Sequence, residues 1–193
     1  RPPRSTLFPY TTLFRSLRLV VPADEGGSWV DVGSSTRAIA GIYRLLARGD
    51  PSVALVSVMH PAVIGYWLAS ADPAEEQWDA QRRAVCATAA AGAQWGTITS
   101  EPGSGGDILR TTSTAVPSDE AVPDVPGAAY TVAGVKHFGS GSGVTDFMLT
   151  SAVPVGEPQP AMFALDVRDR PWDGSAGMTL VAEWDGMGMA ATQ

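Results

Sequence analysis

The sequence predicts an α+β fold, with an N-terminal α-helical domain at residues 17–94 followed by an antiparallel β-barrel or sandwich domain at residues 95–193. Up to Gln94, apolar residues recur at helical spacing, and capping residues and glycines stand where helices would begin and end. After Trp95 the period changes to two, and clusters of Gly, Pro, Asp and Ser separate short apolar runs. Because no helical pattern lies between those runs, they predict antiparallel strand pairing.

Length and charge exclude several classes of function. The chain has 193 residues, of which 45% are hydrophobic, so it can bury a core in one or two domains. Its formal net charge is −7, whereas nucleic acids and anionic membranes bind clustered lysine and arginine. The most apolar run, residues 52–70, is interrupted by His60 and Pro61, and a membrane span needs roughly 18 apolar residues. We therefore expect no nucleic-acid partner and no membrane partner.

Cysteine and histidine usage bears on location and metal binding. The single cysteine, Cys86, excludes an internal disulfide framework and suggests a reducing, cytoplasmic location. Its small apolar neighbours indicate a core residue rather than a nucleophile. The chain has two histidines, His60 and His137, without a third ligand grouping, so we expect no metal site. We interpret His60 as a hydrogen-bonded helix residue near Pro61 rather than an acid–base group.

The first 16 residues differ from the rest in composition. They contain three arginines, no acidic residue and three prolines, which would break the amphipathic helix of a transit peptide. The segment resembles a spurious leader translated from adapter DNA, and we exclude it from the fold. A chain with an artificial start is expected also to have an arbitrary end.

Three helices are predicted in the first half. Ser34 and Ser35 are N-cap candidates for the first, and Gly49 stands just past its last turn. The second begins at residues 50–52, is apolar all round and is expected to be kinked or divided near Pro61. For the third, the predicted cap and first turn comprise Asp72, Pro73, Glu75 and Glu76.

Six strands are predicted in the second half: Trp95 to Ser100, Ile108 to Val116, Ala129 to Phe138, Thr145 to Val153, Pro160 to Val167 and Met178 to Trp184. The Trp-Asp-Gly triplets at 172–174 and 184–186 are too close together for a propeller or solenoid repeat, and we interpret them as turns.

Two glycine-rich loops, "TITSEPGSGGD" at 97–107 and "GVKHFGSGSG" at 134–143, are the candidate binding segments. Neither matches a P-loop, nor a dinucleotide fingerprint between a parallel strand and a helix. Their hydroxyl groups could bond the rim of a heteroaromatic ring, and Phe138 could cover it. The alternative is a pair of wide hairpin loops with solvated hydroxyls, and the residues alone leave both readings open.

Four segments resemble the signatures of the acyl-CoA dehydrogenase flavoprotein family: "SEPGSGGD", "GVKHFGSGSG", "VVPADEGG" and "RLLARGDPSVAL". They occur in the family's order over residues 17–193. The resemblance implies a helical domain and a β-barrel, bound FAD, and α,β-dehydrogenation of an acyl-CoA thioester. It further implies an electron-transfer flavoprotein or similar acceptor as partner and a homo-oligomeric full-length protein.

The resemblance also implies the site residues. The residues implied to contact the flavin ring or pyrophosphate are Thr97, Ile98, Thr99, Ser100, Gly105, Gly106, Phe138, Gly139 and Ser140. Of these, Ser140 falls where the family bonds flavin N5, and Phe138 where a tryptophan usually packs. Gly106 replaces a serine that commonly holds phosphate or the acyl-CoA, so it is the implied substrate contact. Ala190 stands where relatives commonly carry arginine.

The implied catalytic base belongs to a C-terminal helical domain, so we assign no catalytic residue within these 193 residues. Glu101 is interpreted as fixing its loop by accepting backbone N–H bonds. We expect the chain alone to bind FAD poorly or not at all, and to expose sheet edges that are prone to association. Two other functions stay open: a flavin-dependent monooxygenase or oxidase on the same scaffold, and a non-catalytic interaction module.

Overall fold

The computed structural model describes residues 16–69, 76–104, 106–120, 124–185 and 192. Within the described residues three α-helices come first, as predicted, and five of the six predicted strands follow in whole or in part. The elements are α1 (Val32–Gly49), α2 (Pro51–Ala69), α3 (Glu76–Ala90), β1 (Trp95–Thr97), β2 (Thr114–Pro117), β3 (Tyr130–Ala133), β4 (Phe147–Pro154) and β5 (Ala161–Asp166).

Aspartates begin the first two helices. Asp31 is the N-cap of α1, and its carboxylate accepts a hydrogen bond from the Ser34 backbone at 2.8 Å. The predicted caps Ser34 and Ser35 therefore lie inside the first turn. Asp50 ends α1 and begins α2, because its carboxylate accepts from the amides of Ser52 and Val53. For α3, the predicted cap and first-turn residues 72–75 lie outside the described residues.

Helix α2 is continuous, with Pro61 inside it, rather than divided. By length and composition α2 would be long and apolar enough to cross a membrane. Core helices meet the same criteria, and here His60, Val63, Ile64 and Trp67 are buried in the core.

The strands form one mixed sheet in the order β1-β4-β2-β3, with β5 on β4. Two pairs, β2 with β3 and β4 with β5, are antiparallel. However, β1 and β2 both run parallel to β4. The predicted antiparallel barrel or sandwich is therefore wrong for the described strands. The prediction assumed that parallel pairing needs an intervening helix, whereas the long connection between Thr97 and Phe147 lets the chain return in the same direction.

Several predicted strands are longer than the observed ones, and two also differ in conformation. The first half of the predicted strand at 108–116 is a 3-10 turn at Ile108–Arg110, because the Asp107 carboxylate accepts from the Leu109 amide at 3.0 Å. The predicted strand at 178–184 forms only an isolated bridge between Asp173 and Thr179. The Trp-Asp-Gly triplet at 172–174 is a turn, as predicted, with Gly174 at φ 92°.

One hydrophobic core joins the helices to the sheet. Trp95 of β1 stacks on Phe147 of β4 at 4.7 Å between ring centroids and meets the edge of Trp67 from α2 at 5.4 Å. Val85 and Cys86 of α3 are fully buried in the same cluster. The buried start of β1 is thus fixed against the helices, and the chain leaves this core just before the glycine-rich loop.

Candidate functional site

The two glycine-rich loops lie side by side. The amide of His137 donates a hydrogen bond to the carbonyl of Ser100 at 2.7 Å, in an isolated antiparallel bridge. A Cβ added to Gly139 would stand 3.0 Å from Cδ1 of Ile98, so the Ile98 side chain packs closely against the backbone of the second loop. The two glycine-rich loops are therefore neighbours in the structure.

Hydroxyl groups line this shared edge. The side chains of Thr97, Thr99, Ser100 and Ser140 are half-buried. Their hydroxyls make no hydrogen bond to protein within the part of the chain that the structure describes. Half-buried hydroxyls that the protein leaves unpaired are available to the polar rim of a ligand.

Phe138 presents an aromatic ring next to those hydroxyls. Its backbone is left-handed, with φ 56°, and its side chain is 70% exposed. The ring touches Trp184 edge-on, with centroids 6.2 Å apart. A bulky non-glycine residue with this φ is a genuine outlier, and such strain concentrates at binding sites. The ring is thus held at the surface, where it can pack against a planar ligand.

A buried carboxylate lies just behind the first loop. Glu101 accepts hydrogen bonds from the amides of Thr112 and Ser113 and from the hydroxyls of Thr111, Thr112 and Ser113. Its side chain is 2% exposed. Burial raises the pKa of Glu101, but hydrogen bonds from Lys136 and these residues outweigh burial and hold it well below its usual range. Glu101 accepts backbone N–H bonds as predicted, but the donors belong to residues 112 and 113, which follow the loop.

Lys136 of the second loop completes this cluster. Its Nζ donates to Oε1 of Glu101 at 2.5 Å and to the carbonyl of Ser151 in β4 at 2.6 Å. Sequence reasoning missed this pair, because 35 residues separate the two charges. The available signal was an acid in one glycine-rich loop and a base in the other.

The tip of the first loop is open, with Gly103 and Gly106 at φ 79° and 86° and open space where a Cβ would be. The amide of Gly106 donates to the Ser104 hydroxyl at 3.3 Å, so it already has a partner within the loop. Gly105, the other predicted phosphate donor, lies outside the described residues, as does Ala190.

His60 is a structural residue, as predicted. Its Nε2 lies 3.0 Å from the Leu17 carbonyl, and its Nδ1 accepts from the Trp95 amide. Burial lowers the pKa of His60 to about 4. No group of three or more potential metal ligands occurs among the described residues.

A separate cavity of about 390 Å³ lies between α2, α3 and the sheet. Its walls include Tyr66, Trp67, Trp78, Tyr130 and Phe163, and none of the predicted flavin contacts lines it.

No family model matches the chain, and no curated protein matches it. Solved structures do. KijD3 in complex with dTDP is 22% identical with a TM-score of 0.66 over 98% of the chain. KijD3 in complex with FMN and dTDP-3-amino-2,3,6-trideoxy-4-keto-3-methyl-D-glucose is 22% identical with a TM-score of 0.63 over 95%. FMN-bound TdsC from Paenibacillus sp. A11-2 is 20% identical with a TM-score of 0.50 over 94%.

These similarities show a shared fold, and the chain spans 45%, 42% and 47% of the three matched chains. The resemblance to acyl-CoA dehydrogenases is wrong as an assignment, because the neighbours are KijD3 and TdsC. The α+β class was predicted correctly, whereas the short glycine-rich signatures pointed to a family that the comparisons do not support.

Proposed function

We propose that this chain forms the flavin-contacting part of an FMN-dependent monooxygenase or oxidase. The observation that carries the proposal is the Ser100–His137 bridge, which joins the two loops into one edge of unpaired hydroxyls beside the exposed ring of Phe138. FMN in two of the neighbouring structures supports the same reading.

The residues present fit a flavin. Its ring system is planar, with a polar rim of nitrogen and oxygen atoms, and the edge offers hydroxyl donors at Thr99, Ser100 and Ser140. Phe138 would pack against the ring, and Gly139 lets the second loop approach Ile98 closely. Neutral hydroxyl donors orient such a ring without adding charge.

FMN fits this edge better than the FAD predicted from the sequence. FAD was implied by the resemblance to the acyl-CoA dehydrogenase family, and backbone amides at Gly105 and Gly106 were then expected to contact its pyrophosphate. The Gly106 amide donates to Ser104 instead, which leaves less donor capacity at the tip of the loop. FMN carries one phosphate rather than a pyrophosphate, so it needs fewer hydrogen-bond donors from this loop.

When bound, a flavin supplies two-electron chemistry and, once reduced, reactivity toward oxygen. The chain's own contribution is to bind and orient the ring. Neither Glu101 nor His60 acts on a substrate, because both are buried and hydrogen bonded to protein. The cytoplasmic location, the homo-oligomer and the electron-transfer partner expected from the sequence stay predictions.

Titration with FMN, followed by quenching of flavin fluorescence, tests this function. We expect saturable binding that weakens in Ser100→Ala, Phe138→Ala and Ser140→Ala. Leu45→Ala is the matched control, because Leu45 is 68% exposed on α1, outside the two loops. The proposal fails if FMN shows no saturable binding up to about 1 mM, the weak end of specific affinity. It also fails if the site variants bind as tightly as the control does.

A further inference from the structure

We propose that Glu101 and Lys136 form a positioning pair, which sets the separation of the two loops and so the placement of Ser100 and Phe138. This proposal rests on the proposed function in one respect, namely that the ligand between the loops is FMN. Its effect on loop geometry is a property of the protein without ligand.

The pair lies directly beside the bridge between the loops. Glu101 follows Ser100 in the chain, and Lys136 precedes His137, so each charged residue adjoins one member of the Ser100–His137 bridge. The Nζ to Oε1 distance is 2.5 Å. Any change in this contact is therefore transmitted over one residue to the bridge, and over two residues to Phe138.

Two further chain segments anchor the pair. Residues 111–113, just before β2, donate to Glu101 through backbone and side chains. The carbonyl of Ser151 in β4 accepts from both Lys136 and Thr111. These contacts connect the loops to strands in the middle of the sheet, so the two loops are held relative to a rigid support.

Because the Glu101–Lys136 pair is buried, it can hold the loops in position, which an exposed ion pair would not do. The two side chains are 2% and 9% exposed, so neither charge has water as an alternative partner. Removing one charge leaves the other buried and uncompensated, whereas removing both does not. Desolvating such a pair costs free energy, but the buried pair fixes the geometry of the segments that it joins.

The test uses Glu101→Gln, Lys136→Met and the double variant, with Asp166→Asn as control. Asp166, the last residue of β5, forms an ion pair with Arg168 at 2.7 Å, outside the two loops. Two properties are measured on folded protein: amide hydrogen exchange of His137, whose N–H bonds Ser100, and affinity for FMN and for riboflavin. Riboflavin has the same ring without the phosphate.

We expect faster His137 exchange in both single variants and partial recovery in the double variant. Affinity should fall about tenfold or more, and by the same factor for FMN and riboflavin, because ring contacts are misplaced while phosphate contacts are not. The absorption spectrum of bound flavin should change as well. Asp166→Asn should change none of these.

The two proposals fail in different ways. If the wild-type chain binds no flavin, the proposed function fails, and His137 exchange alone then decides the positioning role. If His137 exchange in the single variants matches wild type, the positioning role is overturned, whatever the flavin result. It is likewise overturned if flavin affinity is unchanged while only the free energy of unfolding falls, because the pair then stabilises the fold without placing the loops.

Discussion

The backbone N–H of Trp95 donates a hydrogen bond to Nδ1 of His60 at 3.0 Å, and this contact joins the middle of α2 to the first residue of β1. Since an amide can only donate, Nδ1 is unprotonated, and the proton on Nε2 is directed at the Leu17 carbonyl 3.0 Å away. A neutral imidazole on α2 therefore satisfies buried backbone groups of two other segments, the Trp95 amide and the Leu17 carbonyl.

This neutral histidine makes the stability of the protein depend on pH. Burial lowers the pKa of His60 from 6.5 to about 4, so between these values the unfolded chain binds a proton that the folded chain does not. The contribution is present in full above pH 6.5 and is lost as pH falls toward 4, by up to about 3 kcal/mol. Urea unfolding between pH 5 and 7 measures this slope.

His60→Gln retains a donor and an acceptor but does not titrate, so its free energy of unfolding should be lower at pH 7 and flatter over the same range. His137→Gln is the control, because His137 is the other histidine and is exposed. Equal slopes in wild type and His60→Gln would contradict the prediction. The range above pH 5 avoids Glu101, whose own contribution is lost only below its ordinary pKa of 4.5.

Gly134 is required by the close approach of its backbone to Ser113. A Cβ at position 134 would lie 1.9 Å from Oγ of Ser113, which donates to Glu101. Gly134→Ala should therefore lower the free energy of unfolding by about 1 to 3 kcal/mol. Gly41→Ala in α1, with open space around it, should raise it by up to about 1 kcal/mol. Thermal unfolding compares the two, and a neutral Gly134→Ala would show that the strands can separate without cost.

We expect the left-handed backbone of Phe138 to lower the free energy of unfolding, while its ring contributes to FMN binding. Asparagine tolerates the left-handed backbone better than phenylalanine does, and the ring is 70% exposed, so Phe138→Asn loses little burial. We expect its free energy of unfolding to rise by up to about 1 kcal/mol while FMN affinity falls. Phe138→Leu keeps the backbone strain and loses the ring, so it should weaken binding without gaining stability. A less stable Phe138→Asn variant would indicate that the ring serves the fold instead.

Local sequence signals predicted the helices well but their ends less well. Periodicity located α1 and α2, because apolar spacing reflects one buried face. It placed the first cap at Ser34 and Ser35, although the side chain of Asp31 caps the helix. Aspartate and serine are equally good N-caps, so the local sequence could not show at which of these residues the helix begins.

Local sequence patterns could not predict the direction of the strands or the buried Glu101–Lys136 pair. The parallel register of Trp95 with Phe147 depends on a contact between residues 52 positions apart. The Glu101–Lys136 pair likewise depends on how the loops meet. In contrast, the two loops themselves were recognisable, because glycines and hydroxyl-bearing residues cluster in both segments. The edge of hydroxyl groups was thus predictable from the sequence, whereas the buried Glu101–Lys136 pair behind it was not.

Cys86 should be unreactive in the folded protein. It is fully buried, and burial raises the pKa of its thiol to about 11, so both access and thiolate are lacking near pH 8. A disulfide reagent such as DTNB should label it only as the protein unfolds, at a rate that rises with urea. Thr36→Cys in a Cys86→Ala background is the control, because Thr36 is exposed on α1 and should label at once. Labelling of native Cys86 as fast as this control would show that the core between α3 and the sheet opens readily.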